Sequence, residues 1–187
     1  MRRTNRPLRR RTAKRLTKIR RVQEARMRWF LDTEFHEDGR IIDLISIALG
    51  NEAGGSYYAV SYEFDAEKCS DWVKENVLPK LPPRGWPHWK SRAQIADEIR
   101  TMLLPPSGDK PEVWAYFADY DWVVLCQLYG RMIDLPKGFP FWCRDLKQLM
   151  ADRGFEKRHL PEQSGNEHDA LADAHWVRDA YVAMQCG

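Results

Sequence analysis

Asp32 and Glu34 stand two positions apart in Trp29-Phe30-Leu31-Asp32-Thr33-Glu34-Phe35, a stretch whose apolar residues otherwise signal a buried strand. Side chains of an extended strand alternate between its faces, so the two carboxylates point the same way. Like charges side by side on a largely buried strand repel each other and resist desolvation unless a cation lies between them. Hard oxygen donors, with no His or Cys close by in sequence, suit Mg²⁺ or Mn²⁺ better than Zn²⁺. The same pair on a solvated strand end would bind nothing, so the metal reading calls for further acids elsewhere in the chain.

Two more acidic stations occur. Asp121 follows a predicted strand in Ala118-Asp119-Tyr120-Asp121, at a strand end of the kind where ligands of α/β sheets bind. Its alternative role is a helix cap. His168 and Asp173 enter the last predicted helix in His168-Asp169-Ala170-Leu171-Ala172-Asp173-Ala174. Were both helical, five residues of rotation would leave them roughly 140° apart and unable to share a site. If Asp169 caps the helix instead, His168 lies in the preceding loop and can swing over a centre that Asp173 faces. The alternative for this His is an ordinary surface residue.

The elements that would position these residues follow from periodicity. After the first strand, Glu37-Asp38-Gly39-Arg40 signals a hairpin, Ile41 to Leu49 a second strand, and Ser56 to Val60 a third, which together make an antiparallel meander. From Asp65 the pattern turns helical, with Trp72, Val73, Val77 and Leu78 as its apolar face, and Leu81 to Pro87 is a connector. Ser91 caps a helix whose stripe is Ile95, Ile99, Met102 and Leu103, stopped by Pro105 and Pro106. A fourth strand is expected over Glu112 to Phe117, a helix over Asp121 to Tyr129, a short fifth strand over Phe139 to Trp142 and helices over Arg144 to Asp152 and Asp169 to Met184. Strands reached by helical crossovers lie parallel to their partners. The expected fold is therefore α/β, a central mixed five-stranded sheet with three antiparallel and two parallel strands, flanked by helices.

Length and composition fit this. A chain of 187 residues, 43% apolar and 12% aromatic, is long enough for one core without staples. Its longest apolar run, Ile41 to Leu49, is interrupted by Asp43 and is too short to span a bilayer. The four cysteines are scattered with no C-x-x-C pair, as for free thiols in a reducing cytoplasm. The net charge of +3 hides a division: residues 1 to 28 hold thirteen Arg or Lys against Glu24, while the remainder holds 17 basic and 26 acidic residues, a net −9. Residues 1–26 read as a basic, disordered extension preceding one domain over 27–187. The extension either grips phosphate through salt-sensitive contacts or is an inert tail.

Asp-x-Glu on a first strand, Ala-x-Tyr-Asp after a central strand and His-x4-Asp entering the last helix resemble, in that order, the DEDDh 3′-to-5′ exonucleases of the ribonuclease H-like fold. The resemblance covers residues 27 to 187. It is closer still to the bacterial polyadenylate-specific 3′-exoribonuclease AS group in Phe-Leu-Asp-Thr-Glu-Phe, Ile-Ile-Asp-Leu-Ile-Ser-Ile, Tyr-Tyr-Ala-Val-Ser, Leu-Pro-Lys-Leu-Pro-Pro and Leu-Cys-Gln-Leu-Tyr-Gly. The basic extension departs from that group. The resemblance implies that Asp32, Glu34, Asp121 and Asp173 hold two Mg²⁺ ions, with Mn²⁺ able to substitute, and that His168 is the general base. It also implies single-stranded RNA with adenylate 3′ ends as substrate, and a homodimer.

Such a set has a chemical reason. Two divalent ions about 4 Å apart activate a water and neutralise the departing 3′-oxygen, and an imidazole of ordinary pKa near 6.5 can take up a proton at neutral pH. The expected product is a nucleoside 5′-monophosphate. Phe35 and His36, just beyond the acids, are placed to touch the terminal nucleotide by stacking and by a polar edge, although a core role suits such a Phe too. The rival readings are an exonuclease acting on DNA ends or short oligonucleotides, and a non-catalytic nucleic-acid-binding module that uses the basic arm.

Overall fold

β1 (Arg28–Glu37) and β2 (Ile42–Asn51) pair antiparallel across the expected hairpin. Its turn is held by Asp38, whose Oδ1 accepts the N–H groups of Arg40 and Ile41, both at 2.9 Å. Gly39 supplies the positive φ the reversal requires. The structure is a computed structural model that describes residues 27–106, 110–163 and 167–186. The basic segment expected at 1–26 lies outside the described residues.

β3 (Ser56–Ser61) adds antiparallel to β2, completing the meander. β4 (Trp89–Lys90) then joins β3 in parallel, while β5 (Glu112–Ala115) lies parallel to β1 and β6 (Arg144–Asp145) parallel to β5. The order is β4-β3-β2-β1-β5-β6. The mixed sheet is as expected, with six strands rather than five. β4 is only two residues long and falls between the connector that ends at Pro87 and the Ser91 cap, so it has no periodicity to betray it. The strand expected at Phe139 to Trp142 is displaced to Arg144–Asp145. Phe139 is buried as a core anchor whose N–H closes a turn on Pro136, and Phe141 and Trp142 are exposed. β5 stops at Ala115, short of the expected Phe117, because Phe117 adopts a φ of 57°.

Helices cover both faces. α1 (Asp71–Asn76) is a short helix between two 3₁₀ turns, and α2 (Arg92–Leu103) starts at a full capping box between Ser91 and Gln94. α3 (Asp119–Gln127), α4 (Leu146–Arg153) and α5 (Ala170–Cys186) follow. Alternation along β1 divides the core. Trp29 and Leu31 pack with Ile95 and Ile99 of α2 and Leu125 of α3, whereas Phe30 packs on the other face with Met150 of α4 and Val177 and Tyr181 of α5. Val73 and Val77 of the α1 region enter a third cluster with Ile45, Val60 and Trp89. Trp72, expected on that apolar face, is 52% exposed. The helical rotation of about 100° from Val73 carries it off the core.

α5 lies close to the sheet because the residues between them are small. Ala48 of β2 and Ala170 and Ala174 of α5 are fully buried together, and a Cβ added at Gly50 would come within 3.2 Å of His175. Ala48 is the cross-strand partner of Asp32, and Ser46 that of Glu34. The same face of the sheet thus carries both acids and the seat of α5. Among the described residues, no helix is long and apolar enough to cross a membrane.

Candidate active site

The parallel pairing of β1 with β5 ends at Phe30 opposite Trp114. Beyond it the two strands have no ladder between them, and the N–H of Thr33 has no strand partner on that side. A buried N–H must find an acceptor, and Asp121 provides one. Its Oδ1 accepts from the Thr33 N–H at 2.8 Å and from the Thr33 hydroxyl at 2.7 Å. Asp121 is 7% exposed and sits in the first turn of α3, where the helix dipole favours a negative charge. The N-cap, Ala118, has no side-chain cap of its own. Its N–H is taken at 3.2 Å by Asp145, which also caps α4 through the Lys147 and Gln148 N–H groups.

On the other face of β1, Asp32 and Glu34 meet Asp173 of α5. One carboxylate oxygen from each lies within 4.8 Å of the others. Asp169 caps α5 as the spacing requires, accepting from the N–H groups of Leu171 and Ala172 at 3.0 and 3.1 Å. His168 therefore precedes the helix, with a φ of 66°, and its N–H donates to Asp173 Oδ2 at 2.9 Å. Gln163 donates to the other oxygen of Asp173. A cleft of about 230 Å³ opens beside Asp32 and Asp173, lined also by Tyr116, Lys157, His168 and Trp176.

Of the residues expected from sequence, Asp32, Asp173 and His168 thus line one cleft, Glu34 joins Asp32 and Asp173 in the carboxylate group, and Asp121 lies outside that group. Asp121 approaches from the α3 side with its carboxylate turned to Thr33. Phe35 faces the α3 side, where its ring stacks on the half-exposed Tyr120, centroids 5.5 Å apart and planes within 6°. His36 is half-buried, and its Nδ1 is buried without a hydrogen-bond partner. Thr33, Gln163, Tyr116 and Lys157 carry no signal in the sequence that marks them for the site. Thr33 lies in the acidic motif with its hydroxyl on the opposite face, and the others come from distant segments with no pattern in common.

Crowding shows in the acidities. Burial, then the neighbouring Asp121, Asp173 and Glu34, holds the Asp32 carboxyl well above the usual carboxylate range. Glu34 is pushed up to about 8, again by burial first and then by Asp173 and Asp121, with Lys80 pulling the other way. Burial raises Asp121 to about 6 against the opposing bonds from Thr33. Asp173 is also raised by burial, opposed chiefly by the His168 N–H. Three oxygens of mutually repelling carboxylates this close form a donor set that fits a hard divalent cation, whose charge relieves the repulsion.

Residues 27–185 match the 3′-5′ exoribonuclease Rv2179c-like domain family. The chain belongs to this family. Two curated 3′-5′ exoribonucleases of Mycobacterium tuberculosis, Rv2179c of strain ATCC 25618 / H37Rv and MT2234.1 of strain CDC 1551 / Oshkosh, are each 48% identical to it over 148 residues. The match spans 79% of this chain and 87% of theirs. Among solved structures, S. pombe Pop2p in its Mg²⁺ and Mn²⁺ bound form is similar at a TM-score of 0.59, with 13% identity, over 92% of this chain and 88% of its own. That likeness gives this Rv2179c-like chain the ribonuclease H-like fold expected from its motif order.

Proposed function

We propose that this protein is a two-metal 3′-5′ exoribonuclease of the DEDDh kind that removes nucleoside 5′-monophosphates from RNA 3′ ends, with a preference for adenylate tails. The observation that carries the reading is the convergence of Asp32, Glu34 and Asp173 within 4.8 Å beside His168. The names of the 48% identical relatives support the activity and the RNA substrate.

In this reading Asp32, Glu34 and Asp173 hold the cations, and Asp121 completes the acidic shell from the α3 side. When bound, divalent ions would supply Lewis-acid activation of water and charge neutralisation on the phosphate. The chain's own residues do the rest. A ring nitrogen of His168 accepts the proton of the attacking water as its oxygen bonds to phosphorus, the bond from phosphorus to the 3′-oxygen of the preceding nucleotide breaks, and that oxygen takes a proton from solvent. Asp173 has a second task, since its Oδ2 fixes the main chain of His168. Lys157, on the cleft wall, gives the anionic substrate a cationic partner. The adenylate preference is supported by the sequence motifs shared with the polyadenylate-specific group, and the Phe35–Tyr120 stack supplies an aromatic surface on the α3 side of β1, on the helix that carries Asp121.

The test is 5′-labelled poly(A), poly(U) and single-stranded DNA, each incubated with Mg²⁺ or with chelator. A ladder shortening from the 3′ end on poly(A), faster than on poly(U), absent on DNA and abolished by chelator, is the expected result. Shortening of DNA at an equal rate would replace the RNA assignment, and retention of RNA without cleavage would make the protein a binder.

A further inference from the structure

Trp72 is a large aromatic residue that the core does not use. α1 is anchored through Val73, buried with Ile45, Val60 and Phe64, while Trp72 turns outward with half its surface in water. Its indole meets the His168 imidazole edge to face, with centroids 4.7 Å apart and planes at 83°. Aromatic pairs attract at this separation and angle. The contact has company, because Lys80, just after α1, donates its Nζ to the main-chain carbonyl of Glu167. The segment from Trp72 to Lys80 therefore touches the loop before α5 twice, once at a ring and once at the backbone.

The main chain of His168 is fixed by its bond to Asp173, but that bond leaves both side-chain torsions free. A proton acceptor works only when its nitrogen is within hydrogen-bond reach of the reacting water, and an imidazole free to change rotamer spends part of its time elsewhere. We propose that Trp72 is a positioning residue for hydrolysis, holding the His168 ring over the carboxylate cleft while Lys80 holds the loop that carries it. The proposal rests on His168 being the proton acceptor. It assigns α1, which contributes no residue to the acidic group, a part in the rate of the chemical step.

Positioning through one aromatic contact predicts a loss of about 5- to 10-fold in kcat for Trp72→Ala, with KM and the calorimetric affinity for Mg²⁺ unchanged. Trp72→Leu, which keeps apolar bulk without a ring, behaves like Trp72→Ala and guards against a folding artefact. Trp72→Phe recovers most of the rate. In a His168→Ala background, Trp72→Ala has no further effect, because the ring it positions is gone. A raised KM at constant kcat would instead make Trp72 a substrate-stacking residue and overturn the proposal, as would losses that multiply in the double variant. Slow His168→Ala with normal Trp72→Ala overturns the positioning role alone. Normal turnover in His168→Ala overturns both it and the general-base assignment.

Discussion

Thr33 does what neither acidic neighbour can, turning to the opposite face of β1 and giving one carboxylate oxygen of Asp121 two donors. Thr33→Val keeps the shape and the N–H but removes the hydroxyl. A hydrogen bond to a charged group contributes about 1.5–3 kcal/mol, so urea denaturation should show a loss in that range, with activity reduced as Asp121 loosens. Asp32→Asn and Asp173→Asn act differently. Disturbing only the outer partners of metal ligands costs about 10- to 100-fold, so each change should lower turnover by more than that. In chelator, circular dichroism melts should find Asp32→Asn at least as stable as the unmodified protein, because it removes one of the crowded carboxylates, whereas Asp173→Asn also gives up an acceptor of His168 or Gln163 and should gain less. Period-two alternation placed Asp32 and Glu34 on one face from sequence, while the capping rule only made it possible for Asp173 and His168 to share a site, and their roles came from the resemblance. The bond between Asp121 and Thr33 was not legible, because it depends on where β1 and β5 part. Nor was the contact of Trp72, since helical spacing does not say which edge of an apolar stripe faces out.

α5 is the element on which the geometry depends most, because it carries Asp173 to acids fixed on a different element. Its approach is set by Ala170 and Ala174 against Ala48. Ala174→Leu inserts side-chain volume into that contact, and overpacking of this kind costs about 1–3 kcal/mol. The expected outcome is a lower melting temperature with a larger fractional loss of activity, since a misplacement of about 1 Å can cost a hundredfold. Substituting the exposed Val182 on the same helix should leave both nearly unchanged. Elements with strong local signals were readable: the meander, the Ser91 cap and the last helix. β4 and β6 were not, because a two-residue strand is defined by its partner's register rather than by its own pattern.

Across the whole molecule, the raised acidities make stability depend on pH, and in the proposed two-metal reading on divalent ions as well. A carboxyl whose pKa is raised by folding binds more protons in the folded state, so unfolding becomes easier as pH climbs. For Glu34 the window runs from the ordinary carboxylate range to about 8. In chelator, the melting temperature should fall as pH rises through that interval. Saturating Mg²⁺ should restore it, and the restoration should be larger near the top of the window, where the ligands must otherwise be ionised and unpaired. An equal Mg²⁺ effect at both ends would show that the carboxylates are not the binding group. His168 bears on stability through its backbone instead, since its φ of 66° suits glycine better than any branched or bulky residue. Glycine there should leave heat tolerance equal or improved while hydrolysis all but stops, checked by a melt and a rate on the same preparation. On the proposed mechanism, engineering this enzyme for endurance alone would therefore favour replacing the imidazole and yield a robust, inert scaffold.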